Sequence, residues 1–191
     1  MTDPSDARKI IEDVMRPYHE EIGNLVVDWN TMQDAFCRLF CALMETDDYR
    51  KPLAIWHSLG NDRSQRELVK RIAPHCSLIE KDKKAIEQIE WAVRNALGLG
   101  DNRDDAVHSP YVIVMAGEIR LEPYDTFGHP RAKGLKDKEL ISEFQRIREN
   151  IRRMVFFVYK LEQYLVDLKF KNAPPTLPDK PFLPSREQKK T

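Results

Sequence analysis

The sequence predicts an all-α fold: an up-and-down bundle of four to six helices with a small β-hairpin inserted near residues 111–121. Two long stretches repeat apolar residues in alternating steps of four and three, the spacing that draws a stripe along one helix face. Only 7 glycines occur in 191 residues, too few for a turn-rich β fold. The helical period gives way once, between Tyr111 and Leu121, to β-branched residues around a glycine.

Asp3 to Tyr18 reads as a short amphipathic helix with Pro4 and Ser5 in its first turn. A stronger helix follows from Ile22 to Glu45, where Leu25, Trp29, Met32, Phe36, Leu39 and Leu43 form the stripe. Asp47 and Asp48 break it, and Pro52 opens a short helix over Leu53–Leu59. Gly60-Asn61 is a turn, and Asp62 caps a helix from Arg63 to Ala73 that Pro74 helps to stop. Asp82 caps the next helix, which runs to about Leu97, with Ile86, Ile89 and Val93 inward. Gly98 and Gly100 then interrupt the pattern.

Tyr111–Met115 and Glu118–Leu121 read as two strands joined at Ala116-Gly117, and residues 126–134 as a loop. The longest helix extends from Lys136 to Lys169, with Leu140, Phe144, Ile147, Ile151, Met154, Val158, Leu161, Leu165 and Leu168 on one face. That run favours antiparallel packing against the Ile22–Glu45 helix, or a dimer seam, since it exceeds what a partner helix of about 24 residues covers at 1.5 Å per residue. Five prolines and several lysines after Asn172 predict a disordered tail, 172–191, behind one helical domain, 1–171.

A hydrophobic fraction of 41% and a charged fraction of 32% suit a globular chain with much surface helix. No apolar run has the length of a membrane span, and the polar stretch Met1–Lys9 leads into no signal-peptide core, so a cytoplasmic protein is expected. Cys37, Cys41 and Cys76 are an odd number, read as buried free thiols in preference to a disulfide framework. The net charge is zero but unevenly placed. Residues 1–130 hold 16 Lys/Arg against 23 Asp/Glu, and residues 131–191 hold 15 against 8. The basic half could meet a phosphate backbone, or the halves could neutralise each other. No P-loop, dinucleotide fingerprint, zinc-spaced set or Gly-x-Ser-x-Gly elbow occurs, so no cofactor is expected.

The segment Asp101-Asn102-Arg103-Asp104-Asp105-Ala106-Val107-His108-Ser109-Pro110 carries the most chemistry. An arginine can grip a phosphate with two parallel hydrogen bonds, and a histidine moves protons near neutral pH. The pair is a minimal kit for cutting RNA without a metal. The same residues could instead pin a helix end, with Asp104 bonded to His108 and paired to Arg103. Asp101, Asp104 and Asp105 also place negative charge where an RNA backbone would lie. Positions 103 and 108 stand about 140° apart on an ideal helix, so one copy does not form a tight pair. Arg63 and Arg66, and the block Arg146, Arg148, Arg152 and Arg153, are candidate RNA contacts; the default reading of each is a solvated helix face. His57-Ser58 lacks the setting of a nucleophile and reads as a helix turn.

Arg103-Asp104-Asp105-Ala106-Val107-His108-Ser109 resembles the Arg-Asn/Asp-x-x-x-His signature of the HEPN superfamily, small all-helical domains that include many prokaryotic RNases. About eight residues are specific, and the hairpin departs from the simplest members. The resemblance implies a homodimer whose motifs face each other, with Arg103 on the scissile phosphate, His108 transferring protons and Asp104 orienting. It implies a metal-independent endoribonuclease or an RNA-binding relative, in a toxin or phage-defence setting with an antitoxin-like protein partner. The alternative is a non-catalytic dimerisation or protein-interaction domain with the motif as a pin. A weaker third reading is a sensor of a small molecule or nucleotide in a cleft between helices.

Overall fold

The computed structural model describes residues 4–171, apart from 118, 126 and 127, together with 175–184. The chain is mostly α-helical, with six helices and one two-stranded sheet among the described residues. In order these are α1 (Pro4–Leu43), α2 (Arg50–Ser58), α3 (Asp62–Ile72), α4 (Lys83–His108), β1 (Tyr111–Val114), β2 (Arg120–Pro123), α5 (Pro130–Leu135) and α6 (Leu140–Phe170). Two compact units divide the chain. One holds Met1–Trp29 and Leu99–Glu149, the other Asn30–Gly98 and Asn150–Thr191. Helices α1, α4 and α6 each have residues in both units.

The two helices expected before residue 45 are one helix, α1, of 40 residues with Pro17 inside it. Proline there removes one backbone hydrogen bond, yet the ring lies on an exposed face and the helix continues. Gly98 and Gly100 likewise do not end α4, which runs on to His108. A mid-helix glycine costs about 1 kcal/mol, and burial of Ala96, Leu99 and Ala106 along the same helix offsets it. Asn61, not Asp62, caps α3, accepting a 2.8 Å hydrogen bond from the Ser64 N–H. Asp82 caps α4 as expected, through the Ala85 N–H at 3.1 Å. Part of the expected loop is the short helix α5, opened by Pro130. Asp3, Glu118 and Thr126, which begin predicted segments, lie outside the described residues.

The hairpin forms, but its second strand starts two residues later than its composition suggests. Tyr111 pairs with Pro123, Val112 with Glu122, Ile113 with Leu121 and Val114 with Arg120, antiparallel. Gly117 at φ 84° supplies the left-handed turn. Register decides which residues face inward: Leu121 is buried while Val112 and Arg120 are exposed.

In the 30–98/150–191 unit, α1 and α6 run parallel. Tyr159 donates to Asp34 at 3.3 Å, and Arg38 lies 3.8 Å from Glu162 one turn further along both helices. The antiparallel partner of α6 is α4, where Tyr164 donates to Asp82 at 2.7 Å and Trp91 meets Phe157 edge-on at 5.3 Å. The predicted antiparallel α1–α6 pairing is thus corrected, because the long α4 returns the chain before α6 begins. The excess length offered as a reason for dimerisation also disappears. Helix α1 is longer than α6, and Leu140, Phe144, Ile147, Ile151, Met154, Val158, Leu161 and Leu165 are all buried within the single chain.

Part of the tail expected to be disordered has a defined place. Residues 175–184 form neither helix nor strand, and Pro178 is buried. Asn150, itself buried, donates to the Pro184 carbonyl at 3.0 Å, and Arg153 donates to the Phe182 carbonyl at 2.9 Å. Backbone carbonyls give a proline-rich segment a way to bind polar side chains without burying much apolar area. Truncation after Lys171 should cost about 1–3 kcal/mol by stranding Asn150; a thermal or urea midpoint unchanged by the truncation would show that the segment contributes nothing.

Acid should destabilise the fold. Burial opposes ionisation of Glu143, but hydrogen bonds from Arg146 and Lys138 outweigh it and hold its carboxyl below the ordinary range. Tyr164 does the same for Asp82. A folded-state pKa below the unfolded one adds stability above pH about 4, which is lost as pH falls through the folded value. Urea midpoints measured from pH 6 down to 3 should fall steadily; a midpoint flat over that range would remove this account.

Candidate functional site

The motif occupies the last two turns of α4, in the unit formed by Met1–Trp29 and Leu99–Glu149. Leu99 and Ala106 are buried and set the rotation of the helix. Tyr111, the first residue of β1, donates to the Ala106 carbonyl at 2.6 Å, which ties the hairpin to the helix end. Burial pushes the Tyr111 phenol well above its ordinary range, so it remains a donor. Phe144 of α6 meets the Tyr111 ring edge-on at 6.4 Å. The segment that carries the motif is therefore held from both sides.

Arg103 lies with its guanidinium over the Trp29 ring, 4.7 Å from the centroid, and its side chain is 21% exposed. One of its nitrogens is 2.9 Å from the Asp104 carboxylate. The other oxygen of Asp104 lies 3.4 Å from Arg131, at the start of α5. One carboxylate thus bridges two guanidiniums, one mostly covered by an indole face and the other 38% exposed. His108 is exposed, one helical turn after Asp104 and on the same face.

The expected hydrogen bond from His108 to Asp104 does not form among the described residues; Asp104 is turned to the two arginines instead. Arg103 and His108 are five residues apart on a continuous helix, so they point in directions about 140° apart. Within one chain the structure brings together Arg103, Asp104 and Arg131, and leaves His108 at the surface. Sequence reasoning missed Arg131 and the role of Trp29. Trp29 reads as one more residue of the core stripe, and Arg131 falls in a segment that reads as a loop, so neither carried a signal.

The other candidate RNA contacts divide by burial. Arg66 is only 2% exposed and 3.5 Å from Asp62, which also accepts from Gln33 at 3.1 Å. Arg146 is held by both oxygens of Glu143, at 2.7 and 3.0 Å. Arg148 is 13% exposed between Glu21 and Asp28. Each of these two arginines is paired with carboxylates, and the Arg148 contacts join the basic half of the sequence to the acidic one. Arg153 holds the Phe182 carbonyl, while Arg152 is exposed. Arg63 is exposed and lines a shallow groove with Arg71, Leu68 and Leu97. His57 is exposed, and the Ser58 hydroxyl donates to the Ile55 carbonyl at 2.7 Å, an ordinary helix turn.

The three cysteines are free and buried. Burial pushes the Cys37 and Cys76 thiols up to about 12, far from reactivity at neutral pH. Among the described residues no group of three or more His, Cys, Asp or Glu is placed to hold a metal ion, and no helix is long and apolar enough to cross a membrane. No protein-family model matches the chain, and neither does any curated protein or any solved structure.

Proposed function

We propose that this is a HEPN-like protein that cleaves RNA without a metal, with His108 as the proton-transfer group and Arg131, beside Arg103, holding the phosphate. The observation that carries the reading is the pair of guanidiniums bridged by Asp104 one helical turn from an exposed imidazole. The Arg131 contact is long, so a phosphate oxygen can replace the Asp104 carboxylate there without dismantling Arg103. In the reaction, His108 takes the proton of a ribose 2′-hydroxyl as that oxygen attacks the adjacent phosphorus. The 5′-oxygen leaves with a proton from an imidazolium, giving a 2′,3′-cyclic phosphate. One exposed imidazole cannot be base and acid at once, and a second copy of the chain facing the first would supply the other. The homodimer thus belongs to the chemistry of the reading and not to the length of α6. Toxin or defence roles, and a protein partner that restrains them, fit an enzyme of this kind.

The test is incubation of purified protein with mixed RNA in EDTA, with analysis of the new 3′ ends. Cyclic phosphate ends, absent with His108→Ala, support the proposal; intact RNA at micromolar enzyme removes it. A second reading, a protein-interaction domain with the motif as a pin, is favoured by one observation: Arg103 is already committed to Trp29 and Asp104. It predicts that Arg103→Ala destabilises the fold and that wild-type protein never cuts RNA.

A further inference from the structure

A cavity of about 330 Å³ lies in the 30–98/150–191 unit, walled by α1, α2 and the C-terminal half of α6. That volume is within the range of small-molecule sites. Its apolar lining includes Cys37, Cys41, Leu53 and Leu165, and Tyr49 and Phe170, both exposed aromatics, also border it. Protonated thiols are soft, weakly polar surfaces that suit hydrocarbon.

Four charged side chains line the same cavity: Asp34, Arg38, Glu162 and Lys169. Three of them have close partners. Lys169 is 2.6 Å from Asp47 and lies against the Phe170 ring at 5.6 Å. Arg38 is 3.3 Å from Asp34 and lies over the Tyr159 ring at 5.8 Å, and Asp34 also accepts from Tyr159 at 3.3 Å. Glu162 differs. Its nearest cation is Arg38 at 3.8 Å, too far for a hydrogen bond, and among the described residues nothing donates to it, although its side chain is only 22% exposed. Burial raises its pKa, the Arg38 charge lowers it and the Asp34 charge raises it again, for a net rise. Glu162 thus offers an open acceptor in this wall, which suits an occupant that donates.

We propose that this cavity binds a compact apolar amine, its ammonium donating to Glu162 and its hydrocarbon body lying on Cys37, Cys41 and Leu165. Arg38 also lines the cavity, and its pairing with Asp34 and the Tyr159 face offsets part of its repulsion for such a ligand. The Tyr49 ring at the border of the cavity adds a second attraction for a cation, while the Phe170 ring is already taken by Lys169. The site is separate from the α4 motif and stands whether or not the protein cuts RNA.

Calorimetric titration of the full chain with 2-phenylethylamine, 2-phenylethanol and 3-phenylpropionate tests this, with thermal unfolding of every variant as the fold control. The amine should bind about tenfold or more tighter than the alcohol, as a charge-assisted hydrogen bond requires, and the carboxylate should not bind. Glu162→Gln should weaken the amine by about the same factor and leave the alcohol unchanged. Ala42→Phe, which fills the cavity from α1, should abolish binding of both. An amine that does not bind folded wild-type protein at millimolar concentration overturns the proposal. So does a carboxylate that binds as well as the amine, or amine binding that survives Glu162→Gln or Ala42→Phe in a folded variant.

Discussion

His108→Ala is expected to lower RNA cleavage by about 10²–10⁴-fold, the usual contribution of a positioned general acid or base, while leaving the thermal midpoint within about a degree. Both halves of the expectation come from the same placement. The imidazole is exposed at the end of α4 and contributes little packing, so its loss opens no cavity. Arg103→Lys should behave in the opposite way. A lysine cannot keep a planar group over the Trp29 ring and reach Asp104 at once, so the fold should weaken by about 1–2 kcal/mol. Arg131→Ala removes a half-exposed cation and should lower RNA affinity and its salt dependence with little effect on stability. Cleavage assays beside thermal unfolding on the three variants separate the catalytic reading from the pin. Loss of stability in His108→Ala with no cleavage by the wild type would sink the first.

Phe144→Ala should cost about 3–5 kcal/mol, the range for truncating a fully buried aromatic. Phe144 is 0% exposed and stands edge-on to Tyr111, whose hydroxyl is bonded to the Ala106 carbonyl in the motif helix. The cavity therefore opens beneath the joint between hairpin and α4, and RNA cleavage should fall with stability. Phe144→Leu, which refills much of the space, should recover more than half of the loss. Urea unfolding decides the matter: a change below about 1 kcal/mol for the alanine variant would show that the site collapses around the gap and that Phe144 does not brace Tyr111.

The amino-acid sequence by itself determined the fold class and most of the core. Apolar spacing at four and three residues requires no partner to be read, and Leu25, Trp29, Met32, Phe36, Leu39 and Leu43 are buried as that spacing demands. The hairpin and the Asp82 cap were legible for the same reason, since each is a local signal within a few residues. Local signals also misled. The stretch between Tyr18 and Ile22 and the glycines at 98 and 100 read as helix breaks, and burial elsewhere along α1 and α4 carries the helices through them. Charge showed the limit most clearly. Arg66, Arg146 and Arg148 read as surface cations, yet Asp62, Glu143, Glu21 and Asp28 are the groups that meet them, the last two more than a hundred residues away along the chain. Residues 175–184 lack an apolar pattern, and it is Asn150 and Arg153 on α6 that accept the approach of the Pro184 and Phe182 carbonyls by donating to them. At the candidate site the sequence supplied Arg103, Asp104 and His108. Tertiary structure decided that Arg103 lies on Trp29, that Asp104 reaches Arg131 and that His108 stays exposed. Direction and partner are long-range properties, and no spacing within one segment encodes them.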